Sequence, residues 1–373
     1  MKRKKVIIIG GGPAGLTAAI HLAEKGVPTT VFEKEGYPHH KVCGEYLSKE
    51  VLPYFKKLGI GLNDLQPKEI SRLQYSIARG RTLEADLPVG GLGISRYTLD
   101  HLLFETSVQK GVDVRREKVS AVNFSGDRFE ITTAEESYEA EFVLGAYGKR
   151  DSLDKQLKRD FFQKSAPWMA VKSHYQKDDF PNDLVALHNF NGGYCGLSKT
   201  ETGAVNVCYL ATYDSFRKYR DPELFREKVL RKNPFLDRFF SEAKEIFERP
   251  LTIAQVSFDR KTVVENHMLM IGDTAGLIHP LCGNGMAMAI RSAEIASEVI
   301  LKQFGNKKFD RSAMEKEYET RWKEEFNRRL RAGRMLQKML LNDSLAAISQ
   351  SVVSTFPFLL PKIIRQTHGK PKQ

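Results

Sequence analysis

Three glycines and a glutamate near the start of the chain are spaced to hold a pyrophosphate and a sugar. In VIIIGGGPAGLTAAIHLAEKGVPTTVFE, residues 6–33, the pattern is Gly10-x-Gly12-x-x-Gly15, with Glu33 at the far end. Gly10 permits a tight turn, Gly12 lets a phosphate approach the backbone because it has no Cβ, and Gly15 lets a helix pack close to a strand. Pro13 and Ala14 open that helix, where a missing N–H costs nothing and free amides meet an anion. Glu33 is placed to accept both hydroxyls of an adenosine ribose. The chemistry implied is dinucleotide binding.

A second cluster lies at HMLMIGDTAGLIHPLCGNGMAMA, residues 267–289. Gly272-Asp273 ends an apolar run, and Asp273 can accept hydrogen bonds from a ribityl chain. Pro280, Gly283, Asn284, Gly285 and Met286 then open a helix rich in small residues. Backbone without Cβ atoms can approach a flat ring, and the helix start favours negative charge, such as that at the N1/O2 edge of a reduced flavin.

The elements that must position these residues follow from the pattern. Val6 to Ile9 are four β-branched residues, as in a strand buried on both faces. A helix is expected over 49–58 and another over 98–110, with Leu99, Leu102, Leu103 and Val108 as its apolar positions. Residues 68–88 alternate as strands do, 112–146 and 167–210 are strand-rich, and a helix is expected over 222–232. Strands return at 251–258 and 267–271, and a long helix runs from Gly285 to about Phe304. The remainder reads as helical, with a break near Phe356-Pro357 and Pro361. No repeat or low-complexity stretch is present. The expected fold class is α/β: a Rossmann-type dinucleotide domain (1–67, 92–150 and 262–305), an inserted strand-rich substrate domain (68–91 and 151–261) and C-terminal helices (306–373).

Composition narrows the partners. The 373 residues carry 41% hydrophobic and 28% charged side chains, and no run approaches the roughly 20 apolar residues of a membrane span. The apolar stretch behind MKRKK is too short for a signal peptide, so a cytoplasmic protein is expected. Cys43, Cys195, Cys208 and Cys282 form no CxxC pair, and His39-His40 lacks ligand spacing, so no metal site is expected. The net charge of +12 comes without a nucleic-acid motif. It reads as a solvated basic face, or as contact with the inner face of a membrane or an acyl carrier.

Together the two glycine clusters resemble the FAD-dependent aromatic hydroxylase superfamily, over about residues 1–150 and 260–305. The resemblance implies FAD as cofactor. It implies that Arg96, in ISRYTLDHLL, contacts it, with Lys34 and Lys41 beside it. The loop KVCGEYLS, residues 41–48, is similar to the geranylgeranyl reductase branch, which includes relatives of flavin-dependent halogenases and of polyketide-tailoring oxidases. That likeness implies that Cys43, with Pro280 and Gly283, stands at the catalytic face. Cys43 then donates a proton or touches the flavin ring, or fills space as a small buried hydrophobe; Glu45 is expected to make a local salt bridge.

The resemblance has three departures, one being that the halogenase tryptophan motif and its lysine context are absent, the chain having only Trp168 and Trp322. Tyr147, in GAYGKRDSLD, stands where the superfamily carries an Asp-Gly motif. NADPH or NADH then reduces the flavin through Lys149 and Arg150, or a separate flavin reductase supplies the electrons. Of the reductase branch's aromatic stretch only Tyr194 is present. The expected activity is a monooxygenase that hydroxylates a hydrophobic phenolic, polyketide or isoprenoid substrate through a flavin C4a-hydroperoxide. The alternative is a reductase saturating C=C bonds of an isoprenoid. Tyr194, Cys195, His188 and His279 are the candidate substrate-facing residues. The apolar C-terminal stretch from Met335 either packs on the core or forms a lipid-facing lid.

Overall fold

The computed structural model describes residues 4–77, 82–277, 283–304, 309–341, 363–366 and 369. In chain order the elements begin β1 (Val6–Ile9), α1 (Pro13–Glu24), β2 (Thr29–Phe32), β3 (Tyr46–Ser48), α2 (Leu52–Lys57), β4 (Lys68–Ser76), β5 (Thr82–Gly93), α3 (Arg96–Gln109), β6 (Asp113–Arg115), β7 (Ala121–Ser125), β8 (Arg128–Thr132), β9 (Ser137–Ala140) and β10 (Phe142–Gly145). Two short helices, α4 (Ser152–Gln156) and α5 (Asp160–Gln163), lead into β11 (Trp168–Gln176), β12 (Leu184–Phe190), β13 (Gly193–Lys199) and β14 (Val205–Thr212). Then come α6 (Tyr213–Phe216), α7 (Pro222–Lys228), α8 (Pro234–Glu242), β15 (Lys244–Glu245), β16 (Leu251–Val256), β17 (Val264–Glu265), β18 (Met268–Met270), α9 (Gly285–Phe304) and α10 (Arg311–Leu341).

The dinucleotide half is a six-stranded sheet in the order β17-β18-β10-β1-β2-β6. β1 lies parallel between β10 and β2, so its side chains are covered on both faces. Val6, Ile7 and Ile8 are fully buried, which stabilises the fold by roughly 1.5–3 kcal/mol for each such side chain. Helix α1 packs against α9 and α3. α3 starts two residues earlier than the pattern suggests, because the Ser95 side chain caps it by accepting from the Thr98 N–H. α10 lays Met314, Tyr318, Trp322, Phe326 and Leu330 onto the same core.

The second half is a nine-stranded sheet. Its strands alternate between two faces, as the period of two requires. One face carries Met169, Val171, Cys195, Val207 and Tyr209, packed against Phe225, Leu236 and Phe239 of α7 and α8. The opposite face carries Trp168, Ala170, Tyr194 and Leu210, together with Leu277 from the dinucleotide half.

Two domain boundaries differ from the expected ones. β3 lies within residues 1–67, yet it pairs with β5 in the nine-stranded sheet. Residues 151–163 follow the dinucleotide half: Leu153 sits in its core. The crossing to the substrate sheet therefore falls just before Trp168. The expected break near Phe356-Pro357 and Pro361 lies outside the described residues.

Gly15 shows how tightly strand and helix approach. A Cβ there would stand 1.9 Å from the Gly10 carbonyl oxygen, whereas at Gly61 it would meet nothing within 4 Å. Gly15→Ala is therefore expected to lower stability in urea unfolding by about 1–3 kcal/mol. Gly61→Ala is expected to stay within about 0.5 kcal/mol of the parent.

Candidate functional site

One cavity of about 620 Å³ runs between the two halves. On the dinucleotide side, Gly10 takes φ +109°, in the left-handed range that favours glycine, and a Cβ there would clash with Ala146. Helix α1 begins at Pro13 with Gly12 as its N-cap; no side chain caps it and no acid sits in its first turn. Its free amides and partial positive charge are left for an anion. Gly12 and Ala14 line the cavity. Glu33 accepts from the Gly11 N–H at 2.9 Å and the Glu35 N–H at 3.2 Å, and Lys41 Nζ lies 3.4 Å away. Burial pushes the Glu33 carboxyl up, but Lys41 and those two backbone donors outweigh it and hold it below its ordinary value. It is an anion at neutral pH, as a ribose acceptor must be.

On the opposite wall, Gly272 takes φ +62°, and its N–H donates to Ser292 Oγ at 2.8 Å. Asp273, Gly283, Asn284, Gly285 and Met286 line the cavity where α9 begins. A Cβ at Gly285 would meet nothing within 4 Å; the backbone there is open to a flat ring. Arg96 lines the cavity from α3, its guanidinium held by both oxygens of buried Asp100 at 2.7 and 2.6 Å. An uncapped helix start, an ionised ribose acceptor and a glycine-floored wall thus share one space, and these residues fit FAD. His279 and Pro280 lie outside the described residues.

The loop from Lys41 to Glu45 joins the halves. Cys43 lines the cavity, and its carbonyl accepts from Asn206 Nδ2 on β14 at 3.2 Å. The local salt bridge expected of Glu45 is instead a long-range network. Glu45 is fully buried with φ +53°. It accepts from Lys172 Nζ at 2.5 Å and from the Arg96 backbone N–H at 2.8 Å, and lies 2.7 Å from His174 Nε2. Lys172 is itself 0% exposed and also donates to the Lys41 carbonyl at 3.2 Å. Burial raises the Glu45 carboxyl, but His174 and Lys172 prevail and hold it low. His40, Glu45 and His174 bring ligand atoms within 4.8 Å of one another, a grouping no sequence spacing announces. The Lys172 ammonium already neutralises the carboxylate, so this is an ion-pair network rather than a cation site.

The substrate side is apolar: Leu73, Leu83, Val185, Leu187, Leu210 and Ile253 line it. Tyr194 lines it as expected, but Cys195 does not. Adjacent residues of a strand face opposite ways, so Cys195 points into the core under α7 and α8. Cys208, on the cavity face of β14, is there instead. His188 is buried beside Ser76 Oγ at 2.8 Å and stacks on Phe235, away from the cavity. Lys149 and Arg150 serve the protein: Lys149 Nζ donates to the Val42 carbonyl, and Arg150 donates to the Phe162 carbonyl and covers the Phe162 ring. Lys34 lines the cavity with its ammonium 3.7 Å from Asp151. Lys172 and His174 were missed, although two basic residues on one face of the apolar strand WMAVKSHYQ were a signal.

The FAD binding domain family matches residues 3–302. The chain belongs to that family. It is a flavoprotein oxidoreductase, and its relatives name two chemistries. It is 25% identical to digeranylgeranylglycerophospholipid reductase 2 of Methanopyrus kandleri, over 93% of this chain and 90% of that one. It is 23% identical to tryptophan 2-halogenase of Chondromyces crocatus, over 79% of this chain and 60% of that protein. The fold is shared with the flavin-dependent brominase Bmp2 at a TM-score of 0.80 and 18% identity, covering 98% of this chain and 93% of that one. Among the described residues no helix is long and apolar enough to cross a membrane.

The network around Glu45 has a measurable signature. Lys172→Met leaves a buried carboxylate short of its cation and is expected to cost about 3–5 kcal/mol in urea unfolding. The Glu45→Gln/Lys172→Met double variant should cost less than the sum of the single ones. Because the folded Glu45 carboxyl lies below its ordinary value of 4.5, its contribution is complete above that value and is lost as pH falls through the folded one. Glu45→Gln is expected to flatten the acid side of the stability–pH curve.

Proposed function

We propose that this protein is an FAD-dependent reductase that saturates a carbon–carbon double bond in a long apolar chain of isoprenoid type. The observation that carries the reading is a thiol, Cys43, lining a cavity whose substrate wall is mostly aliphatic, with Tyr75 and Tyr194 among the aliphatic side chains. A wall dominated by Leu, Val and Ile holds an unsaturated hydrocarbon by apolar contact and keeps water from the reacting carbons. Saturating a double bond takes one hydride and one proton. When bound, reduced FAD would supply the hydride to one carbon and be left oxidised. Cys43 Sγ gives its proton to the neighbouring carbon and regains one from solvent. NADPH or NADH returns the electrons, directly or through a separate flavin reductase. The match along nine-tenths of a prenyl-lipid reductase supports this reading. With a net charge of +12, the protein is read as cytoplasmic, meeting its hydrophobic substrate at the inner membrane face or on an acyl carrier.

Photoreduced holoprotein mixed anaerobically with geranylgeraniol should regain its oxidised-flavin absorption and yield a product with two added hydrogens. Cys43→Ser should slow that step by about 100-fold or more and leave FAD binding intact. If the flavin stays reduced until O₂ is admitted and the product gains an oxygen atom, the hydroxylating monooxygenase takes the reductase's place.

A further inference from the structure

Three loops far apart in sequence bring residues to the cofactor side of the cavity: Val42 and Cys43 in the first, Tyr147 to Asp151 in the second, Gly272 and Asp273 in the third. Two lysines stitch them together through backbone carbonyls. Lys149 Nζ donates to the Val42 carbonyl at 3.0 Å. Lys261 Nζ donates to the Lys149 carbonyl at 2.8 Å and to the Asp273 carbonyl at 2.8 Å. The Lys261 ammonium lies 4.2 Å from the centre of the Phe161 ring, which covers it. Thr274 Oγ1 accepts from the Gly148 N–H at 2.8 Å, and Arg159 donates to the Thr274 carbonyl at 3.1 Å, so the second and third loops also meet behind the seam.

Neither lysine spends its charge on a carboxylate at these contacts. A half-buried ammonium bonded to two main-chain oxygens fixes where those loops run, because charge-assisted bonds are about twice as strong as neutral ones. We propose that Lys149 and Lys261 are positioning residues that hold the three loops in register, coupling the seat of the FAD to the placement of Cys43. The coupling is the same for a reductase and for an oxygenase.

The Lys261 ammonium can be switched off by pH. Burial chiefly, with Arg159 and Arg150 adding to it, lowers its pKa from 10.5 to about 8, against the opposing pull of Asp154 and Asp273. The sign separates loosening from unfolding. A lysine whose folded pKa is depressed carries a cost that is relieved as pH rises, so the fold itself gains stability between about pH 8 and about pH 10. The staple, which needs the charge, weakens over the same range.

The test is FAD affinity of the apoprotein, measured by quenching of flavin fluorescence from about pH 7 to about pH 10. The wild type should bind about fivefold more weakly at the upper end, while its apoprotein melting temperature does not fall in step. Lys261→Arg keeps a charge throughout and should give a flat profile. Lys261→Met should bind about tenfold more weakly at all pH. Iodoacetamide labelling of the apoprotein, read by peptide mass spectrometry, should show altered reactivity at Cys43 in both Lys149→Met and Lys261→Met. A flat wild-type profile, or Cys43 labelling unchanged in both variants, overturns the proposal; because the readouts are cofactor affinity and thiol exposure, this outcome is independent of which reaction the enzyme performs.

Discussion

The architecture turns on one buried carboxylate. Glu45 sits in a left-handed backbone conformation that costs roughly 1–3 kcal/mol for a residue with a side chain, and it is fully shielded from water. What offsets both costs is convergence. Its side chain receives the start of α3 through the Arg96 N–H and the substrate sheet through Lys172 and His174. Its own carbonyl accepts from Ile94. One residue of the loop that carries Cys43 thus binds the dinucleotide half to the nine-stranded sheet. Removing either charge strands the other in a low-dielectric interior, so the partners hold one geometry.

The nine-stranded sheet does two jobs because a strand has two faces. On β14, Val205, Val207, Tyr209 and Ala211 belong to the core under α7 and α8. Asn206 reaches Cys43 and Cys208 lines the cavity. On β11 the same alternation sends Met169 and Val171 one way and Lys172 and His174 the other. A slip of one residue would exchange core for cavity along the whole strand, and the antiparallel register of β11, β13 and β14 prevents it. The apolar wall and the ionic seam are therefore neighbours on one surface: one is suited to a hydrocarbon chain, the other anchors the loop that meets it.

Much of the dinucleotide half was legible in the chain. Gly10, Gly12, Gly15 and Glu33 fall where their spacing puts them, since a strand–turn–helix of that length closes in one way and Gly10 and Gly15 each answer a local backbone clash. The start of α9 at Gly285 and the cavity position of Asp273 follow from the same local logic. Cys195 and Glu45 show where this stops. Choosing between Tyr194 and Cys195 needs the register of β13 against its neighbours. Reading Glu45 as a local pair missed its partners because Lys172 and His174 lie more than a hundred residues on, separated from it by several strands.

The sequence by itself determined the elements whose causes are short-range: the βαβ unit, its phosphate-facing helix end and the second glycine wall, whose combined resemblance to a known family implied FAD. These follow from periodicity, missing Cβ atoms and charge spacing within a few dozen residues. Only the tertiary structure decided which face of each strand meets the cavity, that β3 joins the far sheet, that residues 151–163 stay with the dinucleotide half, and that Lys172 and Lys261 tie distant loops together. Those outcomes depend on pairing between segments far apart in the chain, where the gain comes from burying and satisfying charges in three dimensions, and no local pattern of residues encodes it.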